Sequence, residues 1–410
     1  MTNRYTRAVS ALAGLVLAGS ALAVVNAAPA AAGVEDCPKG YFCGWAGEDA
    51  DGRMWKTNKN VADLGGWADD IHSYINRKDA DACLYGERNY DKSSYLWAEE
   101  RPRGEELVYY GGITSLIRSI RFVQDPHECN VRDYPSWAAS PTSATPDFGD
   151  MDGDNRPDVV SRDRAGRLWF SPGSGYAGRI IGTGGWNTMS ALTRHGDFSR
   201  DGHEDLIARE TATGKLWLYP GTGTGRLAAR ELIGTRGWNG MRNITAFGDL
   251  TKDGRSDLIA TEKSTGKLYL YPGTSTGTLG SRKLIGARGW NSMNALVGMG
   301  DTNGDGRPDL YAREAATGKL WLYPGTSTGT LGSRKLIGTG GWNTMAHLVA
   351  VGDFNGTDAP DLLAVTNDAY TGDGSSYSAG WQLTYSGRGD GGLAAGWPVQ
   401  DGWWGFTAFC

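Results

Sequence analysis

Histidine and cysteine are scarce in this chain, with five of each among 410 residues. His72, His127, His195, His203 and His347 fall in no His-Glu-x-x-His zinc helix, and no nucleophile recurs beside His195 or His203, which flank an acidic loop. That removes the commonest metallohydrolase pattern, and no assembled catalytic group replaces it. Surplus positive charge is also lacking. Lys and Arg number 41 against 46 Asp and Glu, a net charge of −5, which argues against nucleic acid and anionic membranes as partners. No apolar run beyond Val25 is long enough to cross a bilayer, so membrane insertion is not expected. Long helical patterns are missing too. Gly is abundant at 62 residues and Trp reaches 16, a composition that suits short strands, tight turns and aromatic packing.

The N-terminus carries Arg4 and Arg7, then an apolar run from Ala8 to Val25 and small residues up to Ala32. This is the pattern of a secretory leader over 1–32, cleaved after Ala30-Ala31-Ala32, and it predicts a secreted, extracellular protein. Cysteines outside the cell are expected to be oxidised. Cys37 and Cys43 are close enough to close a small loop, and Cys83 with Cys129 is the simplest second bridge. Spacing alone leaves the connectivity open. Cys410 is odd, either free or in an intermolecular bond.

The most informative feature is an acidic loop that occurs five times. Its positions 1, 3, 5 and 9 are Asp150, Asp152, Asp154 and Asp158 in the first copy, and Asp197, Ser199, Asp201 and Asp205 in the second. The third has Asp249, Thr251, Asp253 and Asp257, and the fourth Asp301, Asn303, Asp305 and Asp309. The fifth has Asp353, Asn355, Thr357 and Asp361. The first Asp recurs after 47, 52, 52 and 52 residues. Oxygen ligands at this spacing in a Gly-bearing loop suit a hard cation, and Ca²⁺ is the expected one, several ions in a structural role. Without a cation, four clustered carboxylates repel by about 1 kcal/mol per pair even in water-like surroundings. Thr357 replaces an acid, so the fifth loop is expected to bind weakest. Ser199 and Thr251 are poorer ligands than Asp152 or Asn303, which places the second and third loops in between.

Around each loop runs one plan. A short apolar segment precedes Gly-Asp, an apolar run follows the loop, and Lys215–Gly221, Lys267–Gly273 and Lys319–Gly325 alternate with period two. A fourth strand and a Gly-Trp-Asn close the unit. Four short antiparallel strands per repeat make a propeller blade, and 144–410 holds about five at this period. The strand preceding the loop occurs a sixth time at Phe406–Cys410, without a loop, so both ends of the segment are expected to close one ring. This segment resembles the FG-GAP/VCBS repeat family, through Phe148-Gly149-Asp150, Phe247-Gly248-Asp249 and the five loops. The resemblance implies calcium-bearing propeller blades.

Residues 33–123 form a separate unit, joined to the repeats through a Pro- and Ser-rich linker over 124–143. It has two related halves. Cys37-Pro-Lys-Gly-Tyr41-Phe-Cys43 opens the first and Ile71-His-Ser-Tyr-Ile75 closes it; Cys83-Leu-Tyr85 and Ile113-Thr-Ser-Leu-Ile117 frame the second. This unit resembles the peptidase inhibitor I36 family. That implies a βγ-crystallin-like Greek-key fold and a partner among thermolysin-like metalloproteinases. Asp69, Asp70 and Ser73 keep part of the crystallin calcium signature, but Tyr74 replaces its last Ser. The loop Pro38–Phe42, between two cysteines, is the best candidate for a binding loop.

The chain thus reads as all-β, a Greek-key module followed by a five-bladed propeller. The expected function is non-enzymatic binding of an extracellular peptidase or other protein. A calcium-dependent lectin is the alternative. Its candidate residues are Trp186-Asn187, Trp238-Asn239, Trp290-Asn291 and Trp342-Asn343, and its ligand a glycan or cell-wall polymer.

Overall fold

The structure is a computed structural model. It describes residues 33–90, 99–101, 108–109, 116–124, 127–130, 136–142, 148–176, 178–372, 379–400, 402–403 and 405–410. The expected leader at 1–32 lies outside the described residues. Among them no helix is long and apolar enough to cross a membrane, and the one α-helix, His127–Asn130, has four residues.

The repeat region forms five four-stranded antiparallel sheets. Alternation explains why. In Leu216–Tyr219 both leucines are buried and Trp217 and Tyr219 are half-covered, and Leu268–Tyr271 and Leu320–Tyr323 repeat this. Four sheets are built from consecutive strands, starting at Met189–Arg194, Met241–Gly248, Met293–Gly300 and Met345–Gly352. We call these blades 2 to 5. Blade 1 comprises Val159–Asp163, Leu168–Ser171 and Arg179–Gly182, and its inner strand is supplied by Phe406–Phe409 from the far end of the chain. Phe409 lies opposite Ser161, and Cys410 and Val160 exchange both backbone hydrogen bonds.

Five apolar clusters lie between neighbouring sheets. Val160 and Phe170 meet Leu206 between blades 1 and 2. Ile207 and Leu218 meet Leu258 between 2 and 3, and Ile259 and Leu270 meet Leu310 between 3 and 4. Tyr311 and Leu322 meet Leu362 between 4 and 5, and Leu363 and Val365 meet Phe406 and Phe409 between 5 and 1. Every sheet is therefore covered on both faces and the set closes on itself, as in a five-bladed β-propeller. Closure leaves no sheet face bare, and the inner strand of each sheet is an edge sheltered at the axis of the ring.

The N-terminal module has two sheets. Phe42–Trp45 and Ser73–Asn76 pair at the centre of the first, flanked by Met54–Thr57 and by Val108–Tyr109. The second comprises Asp81–Tyr85 between Glu99–Arg101 and Ser119–Val123, and Val61 bridges to Ile120. Each half thus lends backbone pairing to the sheet of the other, around a core of Phe42, Ile71, Tyr74, Leu84 and Ile120. The Cys37–Cys43 and Cys83–Cys129 bridges are both formed, and Cys410 is a free, buried thiol.

Where it is described, the 124–143 segment packs rather than hangs free. Glu128 is buried and pairs with Arg167 of blade 1 at 2.5 Å. Trp137 is also buried, and its Nε1–H donates to the Pro157 carbonyl at 2.6 Å.

Candidate metal centres and the loop face

In blades 2 to 5 the acidic loop connects the first and second strands, and in blade 1 it leads into Val159–Asp163; each makes the same link to the hairpin after the third strand, so all five lie on one face of the ring. Within a loop the acids divide the work. The first Asp organises the turn from inside. Asp150 accepts the Gly153 and Asn155 amides at 2.7 and 2.8 Å, and Asp301 accepts those of Gly304 and Gly306 at 2.8 and 2.6 Å. The ninth acid is fully buried in every copy. Asp257 accepts the Thr251 amide at 2.9 Å and, from the hairpin after the third strand, the Gly273 amide at 3.0 Å. Asp158, Asp205, Asp309 and Asp361 repeat this link to Gly173, Gly221, Gly325 and Gly387. Approach there is so close that a Cβ on Gly221 would lie 2.1 Å from the Glu204 carbonyl oxygen.

Burial dominates the protonation of these ninth acids. It pushes Asp158 up to about 8, Asp361 to about 7, and Asp205 and Asp257 to about 6, while backbone donors pull the other way. Asp309 is raised for the same reason. A buried carboxylate held ionised calls for a cation.

Two loops bring three acids together. Asp150, Asp152 and Asp154 each offer an oxygen within 4.8 Å of the others, and so do Asp197, Asp201 and Asp205. Asp152 Oδ1 is buried with no hydrogen-bond partner. An orphaned carboxylate oxygen beside two more fits a hard divalent ion, with these residues as ligands. In the third, fourth and fifth loops, no three carboxylates reach that spacing among the described residues. An arginine two residues on pairs with the fifth-position acid in two of these, Arg255 with Asp253 at 3.0 Å and Arg307 with Asp305 at 3.7 Å. Arg156 does so with Asp154 in the first loop, at 3.4 Å.

Sequence reading missed a second link between loops. Arg194 and Glu204 form a buried ion pair at 2.6 Å. Glu204 also accepts the Gly149 amide, and Arg194 donates to the Gly149 and Asp158 carbonyls, so blade 2 grips the first acidic loop. A lone Arg and Glu at repeat positions filled elsewhere by Asp, Ala or Gly and by Pro or Ser were the available signal.

The Trp-Asn pairs lie on the opposite face. Trp186, Trp238, Trp290 and Trp342 are 7–8 % exposed and packed against Tyr219, Tyr271, Tyr323 and Tyr385, ring centroids 4.6–4.8 Å apart. Asn187, Asn239, Asn291 and Asn343 each donate Nδ2–H to the backbone carbonyl of residue 164, 211, 263 or 315, at 2.8–3.0 Å. Indole faces and amide protons are thus engaged within the protein, which gives the pairs a packing role and leaves saccharide stacking there without support. Trp217, Tyr269 and Trp321 are capped by Arg230, Arg282 and Arg334 at 3.9–4.0 Å.

In the N-terminal module, Asp69 pairs with Arg118 at 3.2 Å and Asp70 with Arg53 at 2.5 Å, while Ser73 Oγ donates to the Gly47 carbonyl. Both acids are thus engaged by arginines and the serine by the backbone. The Pro38–Phe42 loop is a tight turn. The Gly40 amide donates to the Arg77 carbonyl at 2.8 Å, and Arg77 in turn donates to the Cys37 carbonyl at 2.6 Å. Lys39 is its one exposed residue.

The letters Gly-x-Ser-x-Gly occur at Gly273–Gly277 and Gly325–Gly329. Both lie in hairpins between strands, not in a strand-to-helix elbow, and neither Ser275 nor Ser327 is bonded to a histidine among the described residues.

The geometry defines a class: a closed ring of repeated blades with acidic loops on one face, joined to a disulfide-bonded all-β module. Comparison with known families makes this specific. Residues 30–97 match peptidase inhibitor family I36, and residues 197–260, 249–312 and 301–364 match the FG-GAP-like repeat. No curated protein matches the chain. Among solved structures it is similar to the Photorhabdus luminescens Tc holotoxin pore, at 14% identity and TM-score 0.35 over 72% of this chain and 14% of that one. It is also similar to regucalcin, a calcium-binding protein of Agrobacterium tumefaciens, at 13% identity and TM-score 0.32 over 65% and 81% of the two chains. A third is the V. cholerae biofilm matrix protein Bap1, at 17% identity and TM-score 0.26 over 66% and 41%. The chain thus spans 14% of the first of these proteins.

Proposed function

We propose that this is a secreted, non-enzymatic binding protein. Its N-terminal module engages an extracellular peptidase of the metalloproteinase type. Its propeller, held together by several calcium ions, presents that module. The observation that carries the reading is the Pro38–Phe42 turn, which lies inside the region matching family I36. It is closed by Cys37–Cys43 and tied to Arg77. A short loop held in one conformation loses little entropy on binding, which is what an inhibitor's contact loop requires. The calcium part rests on the clustered acids of the first two loops, on the orphaned Asp152 oxygen and on the buried ninth acids.

The test is titration of the purified full chain into a thermolysin assay in calcium buffer. Stoichiometric loss of peptidase activity is expected, and Lys39→Ala should weaken it. Full peptidase activity at a large molar excess of the chain would exclude this class of target.

A further inference from the structure

Besides Arg194 and Glu204, three side chains break the repeat on the loop face, and all three line one cavity. The residue before Gly-Asp is Phe148, Phe247, Met299 and Val351 in four copies, but His195 in blade 2. Position 4 of the acidic loop is Gly153, Gly304 and Gly356 in three copies, with φ of 81°, 75° and 77°. Blades 2 and 3 place Arg200 and Lys252 there, at φ of 70° and 59°. This backbone region disfavours side chains, so two cations are kept where glycine is easier.

The cavity holds about 540 Å³ at the mouth of the ring on the loop face, between the loops of blades 2, 3 and 4. Phe148 and His195 are stacked in it, ring centroids 3.8 Å apart and 19° from parallel. His195 is 3% exposed, and neither of its nitrogens has a hydrogen-bond partner. Asp197, Asp249 and Asp301 also reach the cavity, but each accepts amide N–H groups of its own loop. Arg255 and Arg307 pair with Asp253 and Asp305. Arg200 and Lys252 have no carboxylate partner among the described residues.

We propose that this cavity binds an acidic sugar, a pyranose bearing a carboxylate, with Arg200 and Lys252 on the carboxylate and His195 on a ring hydroxyl. Unpaired cations select a negative group. The volume exceeds that of a bare ion and suits a mono- or disaccharide. An imidazole with both nitrogens free supplies one donor and one acceptor, the complement of a hydroxyl. The site is separate from the N-terminal module and stands or falls independently of peptidase binding.

The repeats themselves supply the test substitutions. Calorimetric titration of the full chain in fixed calcium uses glucuronate as probe, with glucose, acetate and sulfate as companions. Glucuronate should bind at least tenfold tighter than any companion. Arg200→Gly with Lys252→Gly installs the residue of the other three loops. It should leave the melting temperature unchanged or higher and weaken glucuronate at least tenfold. His195→Phe, the blade 3 residue, should weaken it likewise with the melt intact. Absence of glucuronate binding, equal binding of any companion, or unchanged affinity in the double variant would each overturn the proposal.

Discussion

Removing calcium should destabilise the propeller, and more so at alkaline than at acidic pH. In each of the first two loops three carboxylates lie within 4.8 Å of one another. At that separation each pair repels by about 0.9 kcal/mol at the dielectric of water, which is a lower bound where the buried Asp205 takes part. Three pairs give about 3 kcal/mol per loop, and two loops about 5 kcal/mol. At ~2–4 °C per kcal/mol for a domain of this size, chelation should lower the melting temperature by at least about 10 °C. The pH dependence follows from the ninth acids. Their folded values, about 8 for Asp158, about 7 for Asp361 and about 6 for Asp205 and Asp257, lie above the unfolded value near ~3.9. The metal-free fold therefore binds protons that the unfolded chain releases. Its stability is greatest below about pH 4 and is lost as pH rises towards 8. Calcium needs the ionised form, so its contribution grows over the same interval. Scanning calorimetry of the full chain with calcium or with chelator, at pH 5 and pH 8, measures both effects. A melt indifferent to chelator at pH 8, or a chelator effect larger at pH 5, would refute the reasoning.

Three further outcomes are expected. Glu204→Ala leaves Arg194 charged and buried and frees the Gly149 amide, so denaturant unfolding should show a loss of about 3–5 kcal/mol, with a smaller loss when Arg194→Met is added. Trp290→Ala empties a site 7% exposed against Tyr323 and should cost about 3–5 kcal/mol in the same assay, as packing requires. Cys410 is buried and its thiol is pushed up to about 12 by burial. It should resist a maleimide in the native protein and react in denaturant, and dimers through this residue should not form without unfolding.

The blade plan was legible because its signals are local. Alternation over Leu216–Tyr219, the Pro-Gly that ends it and the acidic loop each span under ten residues and recur in register. The sharing of blade 1 between two distant segments was legible for another reason, since Phe406–Cys410 repeats a strand without its loop. What stayed hidden depends on contacts between repeats. Asp257 reads as a ligand, and only the fold reveals that its carboxylate also ties the loop to the Gly273 hairpin. Trp290 beside Asn291 in a Gly-rich turn reads as an exposed platform, yet the neighbouring blade covers it with Tyr323. His195, Arg200 and Lys252 look like scattered deviations until the ring gathers them round its axis.

The strand that completes blade 1 carries a temporal consequence. Arg162 and its partner Thr407 are 245 residues apart in sequence, so the disc cannot lock until synthesis has passed Phe409. Blades 2 to 4 are made of adjacent segments and can collapse early, whereas the last join waits for a contact of very long range. During that interval the flanks of blades 1 and 5 are bare. A nascent chain delayed before Phe406 would expose them to mispairing, which makes Phe406–Phe409 the segment whose loss should most increase aggregation during biosynthesis.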